Sequence, residues 1–238
     1  MSTQSTPILS VLTEDLLIRV NEKLVQDSDR KIWRLICKEF HRVDSITRKT
    51  LRVLHVEFLP PLLKNYTNLH TLDLSVCPCI EDGTITLLLH RVDHSMWARN
   101  LKFLNLRRAN GLKFAGLEML VGACKGLESV DVSYCRGFGD REAAAISGCG
   151  GLKELSMDKC LGVSDVGLAK IVVGCGRLVR LSLKWCMEIS DLGVELLCKK
   201  CLELKFLDVS YLKVCLIITY LMLHFRLIYF SLQGYLEI

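Results

Sequence analysis

The 238-residue sequence has little proline, few aromatic residues and no long run of like charge. Four prolines and a charged fraction of only 24% exclude a collagen-like protein, a coiled coil and a wholly disordered chain. Half of the residues are hydrophobic, so the chain can bury a large core. The formal net charge of +5 is spread along the sequence, and we therefore expect a globular protein with no nucleic-acid partner.

No secretory signal is recognisable near the start of the sequence. Residues 1–13 are rich in Ser and Thr and contain no basic segment followed by a long apolar stretch and a cleavage site. We therefore expect a cytosolic or nuclear protein whose twelve cysteines stay reduced. Such cysteines are core residues, metal ligands or reactive thiols before they are disulfides.

A nine-residue segment recurs through most of the chain. It reads L-x-x-φ-x-φ-x-x-C, where φ is apolar, and its six copies begin at Leu69, Leu101, Leu127, Leu152, Leu178 and Leu204. The closing position holds Cys77, Cys135, Cys160, Cys186 and, in the two other copies, Ala109 and Leu212. A second cysteine stands three residues before four of the starts, at Cys124, Cys149, Cys175 and Cys201. A period of 25 or 26 residues after a first step of 32 indicates a stack of similar units.

Each unit is predicted to contain a strand, a turn and a helix. An aspartate stands five residues after each closing cysteine, at Asp82, Asp140, Asp165 and Asp191. Apolar residues follow at helical spacing, and the carboxylate suits the positive end of the helix dipole. Ser164 and Ser190 precede two of these aspartates and are predicted helix caps. Because one strand and one helix cannot enclose their own apolar face, neighbouring units must stack.

These repeats resemble the cysteine-containing class of leucine-rich repeats. The resemblance implies an α/β solenoid over residues 51–212, with a curved parallel sheet inside and helices outside. Leu51–Val56 is expected to be a degenerate first copy. The long first step implies a lengthened outer loop between His90 and Asn100.

Residues 1–50 are predicted to form a small helical module. A first helix begins near Leu12 with Thr13 as its cap, and a second begins around residues 27–29. The second helix is expected to bury the apolar residues Ile32, Trp33, Ile36, Cys37 and Phe40. One explanation of the module is a helical cap that closes the first edge of the solenoid.

The same segment also resembles an F-box. In that family a Leu-Pro pair opens the first helix, and a Val-Cys-x-x-Trp/Phe segment lies near the end. Here Thr13 replaces the proline and Ile36 replaces the valine, whereas Cys37 and Phe40 match. With cysteine-type repeats directly after it, the chain looks like a plant-type F-box/leucine-rich-repeat protein.

The resemblance implies an adaptor with no chemistry of its own. The F-box would bind a Skp-type adaptor and through it a cullin-RING ubiquitin ligase, and the repeats would hold an unknown protein substrate for ubiquitination and proteasomal degradation. An apolar face on the first helix suits docking into a groove. The expected adaptor-binding residues are Leu12, Leu16, Leu17, Val20, Leu24, Ile36 and Phe40.

Strand alternation predicts where a substrate would bind. Side chains next to the strand leucines point away from the core and line the concave sheet. Exposed aromatic residues beside cations have the composition of interface anchors. The predicted substrate contacts are Arg107, Arg108, Tyr134, Lys159, Lys184 and Trp185.

No catalytic, metal or cofactor site is recognisable in the sequence. Cys198 and Cys201 have the spacing of half a zinc site, but both occupy apolar positions of the repeat. We predict that they are core thiols, because a buried unpaired cysteine behaves as a small hydrophobic residue. The expected protein is not an enzyme and holds no cofactor.

Residues 213–238 break the repeat pattern. The pattern requires a cysteine, a capped helix and another leucine start after Tyr211, but an almost wholly apolar stretch follows. One explanation is a membrane segment, which Arg226 disfavours. The explanation we prefer is a shortened product whose last residues are unrelated to the solenoid. The alternative function is a non-ligase repeat scaffold for protein–protein interaction, anchored to a membrane if the tail inserts.

Overall fold

The computed structural model describes residues 12–24, 26–77, 79–91, 94–212 and 229–231. A module of three helices precedes a stack of strand–turn–helix units. In the module, α1 spans Glu14–Lys23, α2 spans Asp27–Ile36 and α3 spans Lys38–Thr47. Across the described ranges, no helix combines the length and the apolarity that a bilayer crossing needs.

The helical module has a small core of its own. Leu17, Trp33, Phe40 and Val43 are buried together, and both α1 and α2 pack on α3. The ring centroids of Trp33 and Phe40 lie 4.0 Å apart, and the Trp33 indole N–H donates a hydrogen bond to the Phe40 carbonyl at 3.2 Å. Thr13 precedes α1 at the predicted cap position, although its side chain makes no capping hydrogen bond.

The prediction that α2 buries Ile32 and Ile36 was wrong. These side chains are 64% and 59% exposed, whereas Trp33 is turned into the core. The periodicity was read as one helix through Phe40, but the extended backbone of Cys37 separates α2 from α3. The apolar positions on either side of that break therefore do not share one helix face.

The repeats contain short strands and single helices. The strands are β1 Thr50–Arg52, β2 Thr71–Asp73, β3 Phe103–Asn105, β4 Ser129–Asp131, β5 Glu154–Ser156, β6 Arg180–Ser182, β7 Phe206–Asp208 and β8 Tyr229–Ser231. The helices are α4 Leu59–Asn65, α5 Asp82–Arg91, α6 His94–Asn100, α7 Phe114–Ala123, α8 Asp140–Ile146, α9 Asp165–Gly174 and α10 Asp191–Lys200. A 3-10 helix at Val56–Phe58 leads into α4.

The strands form one parallel sheet in chain order. Their central residues stack in register and are buried from β1 to β7, as Leu51, Leu72, Leu104, Val130, Leu155, Leu181 and Leu207. Consecutive helices from α7 to α10 pack on one another, and a continuous apolar core joins helices and sheet. The predicted solenoid is confirmed.

The first copy begins earlier than the sequence suggested. Leu51 pairs with Leu72, which is the fourth residue of its copy, so the first copy starts at Arg48 rather than Leu51. Leu51 and Val53 occupy the two inward positions and are buried. Arg48 replaces the leading leucine of this copy, so the sequence analysis assigned the start of the copy to Leu51, the next leucine along the chain.

The closing cysteines link neighbouring units. The thiols of Cys135, Cys160 and Cys186 each donate a hydrogen bond to a backbone carbonyl of the preceding unit, at 3.2, 3.3 and 3.0 Å. Cys77 does the same toward the Val53 carbonyl at 3.0 Å. A thiol fits this column because it is small, apolar and still a weak donor.

The helix caps also connect the units. The Ser164 and Ser190 hydroxyls accept hydrogen bonds from the amides of Val166 and Leu192, which confirms the predicted caps. Each of these serines in turn donates through its amide and its hydroxyl to the aspartate of the preceding unit, Asp140 or Asp165. The aspartates therefore bridge units as well as opening helices.

Two segments differ from the expectations. The lengthened outer segment contains α6 rather than a loop over residues 94–100, and the fully buried side chain of Trp97 ties this helix to the core. In the tail, Tyr229–Ser231 pairs with β7 as β8, although this segment was expected to be unrelated to the solenoid. The free edge of a parallel sheet accepts an extended segment through its backbone groups, whatever the side chains. The rest of the tail lies outside the described residues.

Candidate functional site

The first candidate surface is formed by the apolar side chains of the helical module. Of the predicted adaptor-binding residues, Leu16, Val20 and Ile36 are exposed. Leu12 and Leu24 are half-buried against the module core. Leu17 and Phe40 fill that core, so the expectation that they contact a partner does not fit their burial.

Two further residues of this surface escaped the sequence-based prediction. Leu35 is 85% exposed, and Ile32 lies beside it on α2. The sequence signal was present, since α2 has more apolar residues than a ten-residue helix needs to contact one neighbour. We call Ile32, Leu35 and Ile36 the α2 ridge.

The cationic side of α2 faces the first repeat. A cleft of about 660 Å³ lies between the helical module and β1, and Arg30, Lys31 and Arg34 of α2 are among its lining residues. Arg48 and Arg52 also line the cleft, with Leu54, Phe58 and Tyr66 supplying apolar surface. The buried Asp44 carboxylate accepts hydrogen bonds from Arg48 and lies 3.5 Å from Arg34. α2 therefore turns its polar side toward the solenoid and its ridge toward solvent.

The second candidate surface follows the concave side of the sheet. The eighth position of five consecutive copies holds a large side chain on a left-handed backbone, with φ between 57° and 64°. These residues are Arg108, Tyr134, Lys159, Trp185 and Tyr211. Bulky residues rarely adopt this conformation, and it could not be predicted from the sequence because none of the five is Gly or Asn.

Backbone hydrogen bonds hold this conformation in place. The amides of Arg108, Tyr134, Lys159 and Trp185 each donate to a carbonyl of the next copy, to Ser133, Asp158, Lys184 and Ser210 respectively. The N···O distances are 3.1, 2.7, 2.7 and 3.0 Å. The parallel ladder thus continues past the strands, and it fixes the spacing of the eighth-position side chains.

Cations and rings alternate along this edge. The Lys159 ammonium lies 5.3 Å from the Tyr134 ring centroid and 5.5 Å from that of Trp185. The Arg107 guanidinium lies 4.3 Å from the Tyr134 centroid, and Arg108 lies 5.9 Å from it. We call the set the concave ladder; it consists of Arg107, Arg108, Tyr134, Lys159, Lys184, Trp185 and Tyr211.

The last ring of the ladder was not among the predicted substrate contacts. Tyr211 stacks on Trp185 with centroids 4.1 Å apart and an angle of 11° between the ring planes. The Lys184 ammonium lies 5.7 Å from the Tyr211 centroid. Tyr211 occupies the same position in its copy as Tyr134 and Trp185 do in theirs, and this equivalence could have predicted it from the sequence. The structure places all six predicted contacts and Tyr211 in one row, just after the carboxyl ends of β3 to β7.

Carboxylates lie beside the ladder, toward the strands. Asp131 is 4.0 Å from Arg107, and Asp158 accepts a hydrogen bond from the Ser182 hydroxyl. Burial raises the pKa of the Asp158 carboxyl, Asp208 and Asp131 raise it further, and the Ser182 hydrogen bond and Lys184 lower it. The net effect raises the pKa of Asp158, so its surroundings disfavour the charged form of this carboxyl.

The thiols are placed as core residues. Cys198 and Cys201 are buried, and burial raises the pKa of Cys198 to about 12 and that of Cys201 to about 11. Thiols with such pKa values stay protonated at neutral pH and are poor nucleophiles and metal ligands. Within the part of the chain that the structure describes, no three His, Cys, Asp or Glu side chains come together as a metal site.

Comparison with known proteins supports the fold but does not identify a family. No protein-family model matches the sequence. The chain is similar to a chain of the Rad7 and Elc1 complex in yeast, with 15% identity and a TM-score of 0.50 over 84% of this chain. A chain of the TLR13–ssRNA13 complex matches at 14% identity with a TM-score of 0.39, over 79% of this chain and 36% of its own length. This protein spans 54% of the Rad7–Elc1 complex chain, and the likeness supports a leucine-rich-repeat solenoid.

Proposed function

We propose that this protein is the substrate-recognition subunit of an SCF-type ubiquitin ligase in the cytoplasm or nucleus. Its helical module binds a Skp-type adaptor, and its concave ladder binds the protein to be ubiquitinated. It performs no chemistry itself, because the linked cullin-RING ligase supplies the transfer of ubiquitin. The observation that carries the proposal is the exposed α2 ridge on a module whose own core is already complete.

The orientation of α2 supports docking over capping. A helix that only closed the end of the solenoid would turn its apolar side toward the first repeat. Here Arg30, Lys31 and Arg34 line the cleft on that side, and the ridge residues are exposed. Burying each ridge side chain against a partner contributes about 1.5–3 kcal/mol, which suits a helix docked in a groove.

The similarity to the yeast Rad7 chain is consistent with this architecture. Rad7 was crystallised in complex with Elc1. By analogy, we propose that the present chain also works in complex with a second protein, and that this protein is the Skp-type adaptor. The concave ladder, with aromatic residues among cations, supports a protein rather than a small molecule as the second partner.

Capture of a co-expressed Skp-type adaptor tests the proposal. We expect the double substitution Leu35→Asp, Ile36→Asp to abolish capture, because two charges would have to be buried in the interface. The fold should survive, since both side chains are exposed. Leu17→Asp is unsuitable, because it places a charge in the module core and would unfold it.

The matched control is Leu202→Asp. Leu202 is 81% exposed and follows α10, outside the module. Capture should be unchanged in this variant, and circular dichroism should show both variants folded. Capture that persists in the double variant, or wild-type protein that captures no Skp-type adaptor, would reject the ligase role and leave the repeat scaffold as the function.

A further inference from the structure

Large side chains occupy the eighth positions despite the cost of a left-handed backbone. That conformation costs a residue with a Cβ atom about 1–2 kcal/mol, and glycine would avoid most of the cost. Five successive copies nevertheless carry Arg, Tyr, Lys, Trp and Tyr at this position. Strained residues that cluster on one surface point to a role outside folding.

Three of the four cations of the ladder lie over rings, whereas Arg107 lies both over the Tyr134 ring and 4.0 Å from the Asp131 carboxylate. Arg108, Lys159 and Lys184 lie over Tyr134, Trp185 or Tyr211, at 5.3–5.9 Å from the ring centroids. An ammonium group over a ring keeps its charge and most of its hydrogen-bond donors available to a partner. The seventh and eighth positions of the five copies hold four cationic side chains and one carboxylate, that of Asp158.

We infer that the concave ladder binds an extended, acidic segment of the protein substrate, with carboxylates about three residues apart. This inference rests on the proposed function, because it names the class of protein that the receptor would take. Arg108 belongs to the copy of β3 and Lys159 to that of β5, so two strand spacings of about 4.8 Å separate their levels. A peptide in the polyproline II conformation rises about 3.1 Å per residue and makes one turn in three residues, so carboxylates three residues apart lie on the same side of it and match this distance.

The same contacts argue against a single-stranded nucleic acid. Nucleobases need free ring faces on which to stack. Tyr134 is covered by cations, and one face of Trp185 is covered by Tyr211. Asp131, Asp158 and Asp208 beside the ladder would also repel a continuous phosphate backbone more than they repel spaced carboxylates.

Fluorescence anisotropy with synthetic peptides tests the inference on the full chain, without an adaptor bound. The main probe is a labelled peptide of about twelve residues, long enough at ~3.1 Å per residue to span the ladder, with Asp at every third position between Gly and Ser. The comparison probes are an isomer with its aspartates in one block, a peptide with Lys in place of Asp, and an oligothymidine of similar length. We expect the spaced acidic peptide to bind most tightly.

Charge reversal on the ladder supplies the second arm. Lys159→Glu should weaken binding of the spaced peptide about tenfold, which corresponds to about 1.4 kcal/mol. Lys170→Glu, an exposed position on α9 away from the concave face, should leave the affinity unchanged. Asp158→Asn should tighten binding, because it removes a negative charge beside the ladder and leaves a hydrogen-bond acceptor for Ser182.

The outcomes separate this inference from the proposed function. Equal binding of the Lys peptide, tighter binding of oligothymidine, or no effect of Lys159→Glu would overturn the acidic-segment inference. Adaptor capture, measured on the same preparation, tests the ligase role alone. Capture without peptide binding would reject only the acidic segment, and peptide binding without capture would reject only the ligase role.

Discussion

Lys159 carries a long side chain on a backbone with φ of 57°. Its amide donates to the Lys184 carbonyl, so the sheet ladder holds the residue in this conformation. We expect Lys159→Gly to be more stable than Lys159→Ala by about 1 kcal/mol, because only the alanine keeps a Cβ atom in the left-handed region. Urea denaturation followed by circular dichroism measures the difference.

The opposite order of stability is expected at an ordinary position. At Lys170, in the middle of α9, glycine should be less stable than alanine by about 1 kcal/mol. Equal stabilities of the two Lys159 variants would mean that the eighth position is not strained. The argument that these side chains are kept for binding would then lose its energetic basis.

At the scale of the repeat element, each closing cysteine combines a small apolar side chain with a weak hydrogen-bond donor. Cys160 is fully buried, and its thiol donates to the Val132 carbonyl at 3.3 Å. Cys160→Ala should lower the free energy of unfolding by about 1–3 kcal/mol, because it leaves a cavity and removes one of the two hydrogen bonds that the Val132 carbonyl accepts, the other coming from the Cys135 amide. Thermal or urea unfolding of the purified chain measures this loss.

Cys79 provides the control for the same chemical change. It lies close to Cys77 in sequence but is exposed, so Cys79→Ala should leave stability unchanged within about 0.5 kcal/mol. If Cys160→Ala proved as harmless as Cys79→Ala, the thiol–carbonyl column would not hold the units together. The recurrence of cysteine would then need another explanation.

The repeat pattern also predicted elements better than it predicted their connections. Ser164 and Ser190 were recognisable as caps because a cap depends on residues next to it in sequence. The bonds from these serines to Asp140 and Asp165 cross from one unit to the next, over about one period of sequence. The sequence placed the aspartates at helix starts, but only the stacking of units could show that they bridge them.

On the scale of the whole molecule, the two proposed surfaces differ in their chemistry. The α2 ridge is apolar, whereas the concave ladder is cationic. Raising the salt concentration from about 0.05 to about 0.5 M should therefore weaken binding of the acidic peptide severalfold, because exposed charges are screened. Adaptor capture should hold or strengthen over the same range, since apolar burial does not depend on charge.

Parallel titrations on one preparation check this difference. A capture reaction that fell with salt as steeply as peptide binding would show that charge dominates both surfaces. The cleft cations Arg30, Lys31 and Arg34 would then be the first positions to test as adaptor contacts.

The repeat pattern was enough to predict the repeating architecture, the inward leucines and cysteines, and the side chains beside the strands on the concave face. These follow from a period and from strand alternation, which are properties of residues close together along the chain. The folded structure was needed to show that Leu17 and Phe40 are core residues while Ile32, Leu35 and Ile36 face solvent. It also decided the left-handed backbone of the ladder, which hydrogen bonds from the next copy hold. An apolar residue can pack inside or dock outside, and the choice depends on which distant segment covers it.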